Sequence, residues 1–272
     1  MTTLAYLGPT GTFTEQAARQ FNPDADLLAQ PTSADVMQAV KKGKANFGVI
    51  AIENMIHGMV RENLDLLYKL DLKVQGELIL PIHHCLCAHP EHETITTILA
   101  HPQALAQCRE WLVKKYPKAT LEAVASNTAG MEAIHAHSLT NAAAIGPELA
   151  AAQYQLKILA TSIEDFPDNV TRFWLIGPEL NVQPEHNKFS IAYYFEKDKP
   201  GCLYESLGYF ARENINLITI AVRPSAKMLG NYVFHLDLDG NLESEPVQFA
   251  LNGLKRITDV LKVIGSYTRA SV

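Results

Sequence analysis

Two segments of the chain end apolar runs with the residue types that acid–base chemistry and anion binding require. Ile52-Glu53-Asn54-Met55-Ile56-His57-Gly58 sets a carboxylate, an amide and a glycine after a buried-looking strand, and open α/β sheets place ligands at the carboxyl ends of their strands. The competing reading is an ordinary polar loop. Asp168-Asn169-Val170-Thr171-Arg172-Phe173-Trp174 puts amide, hydroxyl and guanidinium side by side ahead of an apolar strand. It reads as an anion-binding loop or as a solvated turn. A third segment, Gly8-Pro9-Thr10-Gly11, lies between a strand and a helix, where backbone N–H groups and the helix dipole favour a carboxylate or phosphate. It lacks the third glycine of a dinucleotide fingerprint and the lysine of a P-loop, and taken alone it reads as a structural turn. His83, His84, Cys85, Cys87, His89 and His92 offer zinc-type ligands. Their spacing is that of one strand, 81–87, with Ile82, His84 and Leu86 on one face and His83, Cys85 and Cys87 on the other; no second ligand pair is evident, so no metal is expected. No Gly-x-Ser-x-Gly elbow is present, and no cysteine sits in a nucleophile context.

The elements that position these residues follow from periodicity. Short apolar runs alternate with helical patterns from the first residue, the rhythm of an α/β fold. Strands are expected at Leu4 to Leu7 and Phe47 to Ile52, and Thr12-Phe13-Thr14-Glu15 reads as a capping box opening a helix to about Phe21. A second helix is capped near Ser33. Helices near Val60 to Lys69, Pro102 to Lys115, Thr128 to His137 and Pro147 to Tyr154 interleave with apolar runs at Lys73 to Leu80, Thr96 to Ala100, Ala142 to Ile145 and Lys157 to Ala160. These runs suit buried parallel strands. From Gly177 a stretch with two prolines and no periodicity reads as a linker. Beyond it the order strand (Phe189 to Phe195), helix (Cys202 to Glu213), strand (Ile218 to Val222), strand (Tyr232 to Leu238), helix (about Pro246 to Val260), strand (Leu261 to Tyr267) is βαββαβ, the ferredoxin-like unit.

Composition bounds the function. At 272 residues, 47% hydrophobic and 19% charged, the chain can bury two cores. Net charge is -6, which supplies no positive field for a nucleic-acid backbone. Four cysteines are too few for a disulfide framework, and a reduced, cytoplasmic protein is expected. No stretch approaches the ~18 apolar residues that span a bilayer, and the N-terminus lacks the pattern of an export signal.

Taken in order, the motifs resemble those of prephenate dehydratase. Gly8-Pro9, Gly11-Thr12-Phe13 with Ala17-Ala18, then Ile52-Glu53-Asn54 and Gly58 with Leu64-Asp65-Leu66-Leu67, then His101-Pro102-Gln103-Ala104 with Gln107-Cys108, then Asn169, Thr171-Arg172-Phe173 carry the resemblance over essentially the whole chain. The tail from Lys188 is similar to the family's ACT regulatory module, with Pro200-Gly201-Cys202-Leu203 in place of its Gly-Ala-Leu loop and Arg223-Pro224 closing the second strand. The resemblance implies a two-lobed, periplasmic-binding-protein-like catalytic region over 1–180 and an ACT domain over 188–272. Lobe one takes about 1–76 and 160–180, lobe two about 77–159, with substrate between them.

It also implies roles. Thr171 is the catalytic hydroxyl; Asn54, Gln107, Arg172, Phe173 and Thr128 bind substrate; Gly201, Cys202, Leu203, Arg223 and Pro224 bind an effector, L-phenylalanine. The implied reaction is decarboxylating dehydration of prephenate to phenylpyruvate with no metal or cofactor, in a homodimer or homotetramer. Aromatisation drives loss of CO2 and hydroxide, so catalysis must supply a proton to the leaving hydroxyl and fix a dianion, with Arg172 expected to pair with a carboxylate. Several positions depart from the family pattern: Met55 stands for Ser or Thr, His57 for an acid, Ala100 for the serine before His-Pro-Gln, Ser126 for the Glu of Glu-Ser-Thr, and Ala221-Val222 for the Glu-Ser of Glu-Ser-Arg-Pro. Phenylalanine feedback is therefore expected to be weak or altered. Arogenate dehydration, non-aromatising decarboxylation and a non-catalytic amino-acid sensor are the competing functions, and the retained Thr171 favours dehydration.

Overall fold

Local signals place the first helix. Thr12, in extended conformation, accepts a hydrogen bond from Glu15 N at 3.2 Å, and the Glu15 carboxylate reaches back to Gly11 N at 2.7 Å, one residue beyond the usual capping box. The computed structural model describes residues 2–196, 199–224 and 232–270. In chain order the first elements are β1 (Thr3–Leu7), α1 (Phe13–Phe21), β2 (Asp26–Gln30), α2 (Ser33–Lys41), β3 (Phe47–Asn54), β4 (Gly58–Met59), α3 (Arg61–Leu70) and β5 (Lys73–Pro81). Then come β6 (Cys85–Ala88), β7 (Thr97–Ala100), α4 (Pro102–Gln107), α5 (Arg109–Lys115), β8 (Thr120–Ala123), α6 (Asn127–His137), β9 (Ala142–Gly146), α7 (Glu148–Gln153) and β10 (Lys157–Ala160), and then β11 (Val170–Gly177). After an irregular stretch follow β12 (Lys188–Tyr194), α8 (Cys202–Arg212), β13 (Leu217–Pro224), β14 (Tyr232–Asp239), α9 (Glu245–Ile257) and β15 (Val260–Tyr267).

The strands form two sheets. One runs β10-β6-β9-β7-β8; the other runs β13-β14-β12-β15-β5-β11-β3-β1-β2, with β4 on β3. The chain leaves the larger sheet after Pro81 and rejoins it at Val170, so all of β5, including Glu77 to Pro81, belongs to that sheet. Apolar clusters cover both faces of each lobe's sheet: Leu99, Met131 and Ile134 on one side of the smaller sheet, Leu86, Ile98 and Leu112 on the other. Among the described residues no helix is long and apolar enough to cross a membrane.

Three expectations need correction. The apolar runs are not uniformly parallel: β1 pairs with β2 and β3, and β7 with β8 and β9, in parallel, but β11 is antiparallel to β3 and β5, and β6 to β9 and β10. Parallel neighbours need a crossover connection, and strands that lead directly into or back from the other lobe have none. The strand expected over 81–87 is broken, because residues 82–84 are the crossing between sheets. The helix expected from Pro102 to Lys115 splits at Cys108. The C-terminal order β12 α8 β13 β14 α9 β15 is the expected βαββαβ, in the sheet order β13-β14-β12-β15.

β15 continues the larger sheet beside β5 through one parallel pairing, Gly265 opposite Val74. A Cβ on Gly265 would lie 2.5 Å from the Val74 carbonyl oxygen, so only glycine allows this approach. Trp174, Ile176, Ala192, Val233, Ile264 and Tyr267 then share one buried cluster across the seam. Gly265→Ala is expected to lower stability by roughly 1–3 kcal/mol through forced overpacking, measured by urea denaturation; an unchanged midpoint would show that the seam does not hold the two parts together.

Candidate active site

A cavity of about 330 Å3 opens between the two lobes. One wall is β1 and the start of α1 (Leu7, Gly8, Thr12, Phe13, Thr14), with Ala51 and Asn54 of β3 and Thr171 and Phe173 of β11. The other is His101, Gln103, Ala104 and Gln107 around α4, with Ala125 to Thr128 at the start of α6; Ile82 and His84 come from the crossing. Among the described residues no Asp, Glu, Lys or Arg side chain lines it, and most of the lining is apolar.

Strand register brings Thr171 directly opposite Asn54. Asn54 Nδ2 donates to Thr171 Oγ1 at 2.9 Å, to Asn169 Oδ1 at 3.0 Å and to the Val170 carbonyl at 3.2 Å. Its Oδ1 accepts from Ile56 N and His57 N at 3.1 and 3.2 Å. Every hydrogen-bonding group of the Asn54 amide is therefore engaged inside the protein. The Thr171 oxygen accepts, so its own hydrogen must point away from Asn54.

Helix starts converge on the same space. The first-turn N–H groups of Phe13 and Thr14 in α1, and of Asn127 and Thr128 in α6, make no hydrogen bond among the described residues, whereas Glu15 N and Ala129 N are taken by the cap oxygens of Thr12 and Ser126. Free first-turn donors with the positive end of a helix dipole suit an anion. Asn127 Oδ1 accepts from His101 N at 2.9 Å and ties the starts of α6 and α4 together. Of the Gly8 to Gly11 turn Gly8 alone lines the cavity, and its N–H goes to the Gln30 carbonyl at 2.9 Å, so it contributes wall rather than a donor.

Of the residues expected in the site, Thr171, Asn54, Gln107, Phe173 and Thr128 line one cavity, and Arg172 does not. Successive residues of a strand face opposite sides, and Arg172 lies on the face of β11 away from the cavity, over the Trp174 ring at 5.3 Å. Its donors go to Glu53 Oε2 (3.1 Å), Glu77 Oε2 (3.0 Å) and Asp237 Oδ2 (2.7 Å). Lys188 Nζ adds a 2.7 Å bond to Glu77, and Ser190 Oγ donates to Asp237 at 2.6 Å. Burial would raise the Glu77 carboxyl, but Lys188 and Arg172 outweigh it and hold it below its ordinary value.

Gly201, Cys202 and Leu203 open α8 beside shallow surface hollows that include neither Arg223 nor Pro224. Arg223 makes a bidentate pair with Asp65 of α3 at 2.9 and 2.6 Å. Among the described residues the hollows beside α8 therefore do not bring the expected effector residues together within a single chain. Sequence reasoning missed His84 and Glu164. Glu164 Oε2 accepts from His84 N and Oε1 bonds His83 Nδ1, both at 2.8 Å, pinning the crossing to the return segment. The remaining His–Cys residues form no ligand set: Cys85 and Cys87 face an apolar cluster, and burial pushes their thiols up to about 11 and about 12.

A family model for prephenate dehydratase matches residues 4–181. The bifunctional chorismate mutase/prephenate dehydratase of Aquifex aeolicus is 40% identical over 98% of this chain and 74% of its own length. The prephenate dehydratase of Arthrobacter aurescens in complex with L-Phe superimposes with a TM-score of 0.91 at 34% identity, covering 98% of this chain and 90% of that one. GqqA, described as a novel type of quorum quenching acylase, superimposes with a TM-score of 0.90 at 26% identity over 99% and 98% of the two chains.

The Arg172 cluster predicts a pH-dependent deficit. Glu77→Gln is expected to cost about 3 kcal/mol at pH 7, where it leaves buried cations short of a carboxylate. Because the folded Glu77 carboxyl lies below its ordinary 4.5, its contribution is present above that value and disappears as pH falls below it. Denaturation curves of the two proteins should therefore converge below about pH 4.5; a deficit independent of pH would contradict the ion-pair account.

Proposed function

Because the chain belongs to the prephenate dehydratase family, we propose that this cavity carries out the decarboxylating dehydration of prephenate to phenylpyruvate, with Thr171 as the proton donor to the leaving ring hydroxyl. The observation that carries this reading is the Asn54 Nδ2 to Thr171 Oγ1 bond. An amide that donates to the threonine oxygen leaves the hydroxyl hydrogen free for the cavity and stabilises the negative charge that grows on Oγ1 as the proton leaves. In the reaction the ring C–O bond breaks, the C–carboxylate bond breaks to release CO2, its electron pair completes the aromatic ring, and the departing oxygen takes the Thr171 proton to leave as water, Thr171 Oγ1 then regaining a proton from solvent water so that the net products are phenylpyruvate, CO2 and hydroxide. Asn54 is then a positioning residue for Thr171 rather than a substrate ligand. The substrate's carboxylates are held by the free first-turn N–H groups of α1 and α6, with Gln107 and Thr128 beside them and Phe173 forming an apolar wall. Arg172 is excluded from that role by its three carboxylate partners.

An acyl-transfer reading of the same cavity, suggested by the likeness to GqqA, would need a hydroxyl activated by a base. Among the described cavity residues no histidine nitrogen bonds a hydroxyl: His84 Nε2 bonds Gln107, and His101 Nδ1 accepts from Gln103 N. This supports dehydration over hydrolysis.

Residues 1–180 form the catalytic unit on this reading, in two lobes that meet at the crossings 82–84 and 161–169, and residues 188–272 an ACT-type regulatory module. L-Phenylalanine is its effector, bound between modules of a homodimer or homotetramer in the cytoplasm. Val222 and Ala221, where the family pattern has Ser and Glu, provide no group for the ligand's ammonium, and Arg223 is committed to Asp65.

Thr171→Val should reduce kcat on prephenate by ~10²- to 10⁴-fold with KM little changed, and Thr171→Ser should keep most of the rate. An unchanged kcat in Thr171→Val, or faster turnover of arogenate than of prephenate by the wild type, would overturn the assignment. Inhibition by L-phenylalanine should be weak in the wild type and strengthen in an Ala221→Glu, Val222→Ser double variant, followed by calorimetry and rate; tight binding with strong inhibition in the wild type would contradict it.

A further inference from the structure

The crossing between the lobes delivers one buried histidine to the cavity that the reaction outlined above does not use. His84 is 2% exposed and Gln107 6% exposed, both line the cavity, and His84 Nε2 lies 2.8 Å from Gln107 Oε1. An amide oxygen only accepts, so the hydrogen in this bond belongs to the imidazole. We infer that His84 is a positioning residue for catalysis: by donating Nε2–H to Gln107 Oε1 it turns the Gln107 amide so that its NH2 group faces the substrate as a donor to a carboxylate or carbonyl oxygen. The inference rests on the dehydratase reading of the cavity and adds to it the orientation of one substrate contact.

Three observations support it. Gln107 Nε2 has no acceptor among the described residues, which leaves it for a ligand. The histidine is held in place: Glu164 Oε2 accepts from His84 N at 2.8 Å and Ile163 N donates to the His84 carbonyl at 3.1 Å, fixing its backbone, and the Phe13 ring packs edge-on against the imidazole at 5.5 Å between centroids. Burial outweighs the Gln107 bond and the Glu164 charge and holds the ring's pKa below the ordinary histidine value, so at neutral pH it carries one proton. That proton is on Nε2, and Nδ1 is buried with no partner among the described residues. Without the imidazole N–H the amide can rotate and present its oxygen to an anionic substrate, which repels it.

The test compares His84→Leu, His84→Asn and His84→Gln with Gln107→Leu and the His84→Leu, Gln107→Leu double variant, each checked for folding by a thermal melt. His84→Leu should raise KM for prephenate roughly 10-fold or more, as for loss of a hydrogen bond to a charged group, with kcat changed far less. His84→Gln, whose amide N–H reaches the place of Nε2, should restore KM, and His84→Asn, equally polar but shorter, should not. The double variant should be no worse than Gln107→Leu alone, because His84 acts only through that amide. Losses that multiply, or a His84→Gln variant as poor as His84→Leu, would overturn the inference while leaving the dehydratase reading intact. If His84→Leu does not fold, the Gln and Asn variants decide alone. A wild type that does not turn over prephenate would instead sink the reading beneath it.

Discussion

The alternation of side chains along β11 is the constraint on which both the cavity and the seam depend. Thr171 and Phe173 face the cavity between the lobes, while Arg172, between them in sequence, faces the opposite side and is gripped by carboxylates from β3, β5 and β14. Burying a guanidinium is costly unless its charge and donors are met, so once Arg172 is placed the register of β11 is strongly specified. A slip of one residue would put the cation into an uncharged cavity and the threonine into the ion cluster. The same register sets Thr171 opposite Asn54, where a 2.9 Å bond orients its hydroxyl. Asp237 belongs to the C-terminal unit and Arg172 to the strand that carries Thr171, so a single 2.7 Å ion pair joins that unit to the neighbour of the proposed donor.

The uncharged lining reconciles an acidic chain with an anionic substrate. A net charge of -6 describes the long-range field and excludes a polyanion surface. The proposed site works at contact range, through backbone N–H groups at helix starts whose partial charges are fixed by the fold. Neutral donors in a mostly apolar cavity also suit a reaction that ends by expelling neutral CO2 and water, because no buried cation is left behind unpaired. Charged groups share the seam with an apolar cluster, and neutral ones line the cavity.

Much of this was legible in the residues. The capped helix at Thr12, the strand from Phe47 and the βαββαβ tail follow from local patterns that the tertiary structure reinforces, whereas the loop expected ahead of the apolar strand is itself strand: β11 begins at Val170 and takes in Thr171 and Arg172. The facing of Arg172 was hidden by that: read in a loop it could share the cavity with Thr171, and only its place within a strand sends it to the opposite face. Other features were hidden for physical reasons. β2 and β8 are edge strands with little burial, and all of β8 is exposed, so neither carries a strong hydrophobic period. The split of the helix at Cys108 leaves no proline or glycine as a marker. His84 lies 23 residues from its partner Gln107, and only the fold shows that a histidine of the crossing meets a helix-end amide.

The central claim is that a neutral hydroxyl in an uncharged cavity supplies the proton, and the pH dependence of kcat on prephenate tests it most directly. A hydroxyl donor has no ionisation in the working range, so the account predicts a kcat that stays level from about pH 6 to about pH 9. A kcat that falls about tenfold per pH unit within that range, as it must when a carboxylic acid or an imidazolium loses the proton it donates, would contradict it.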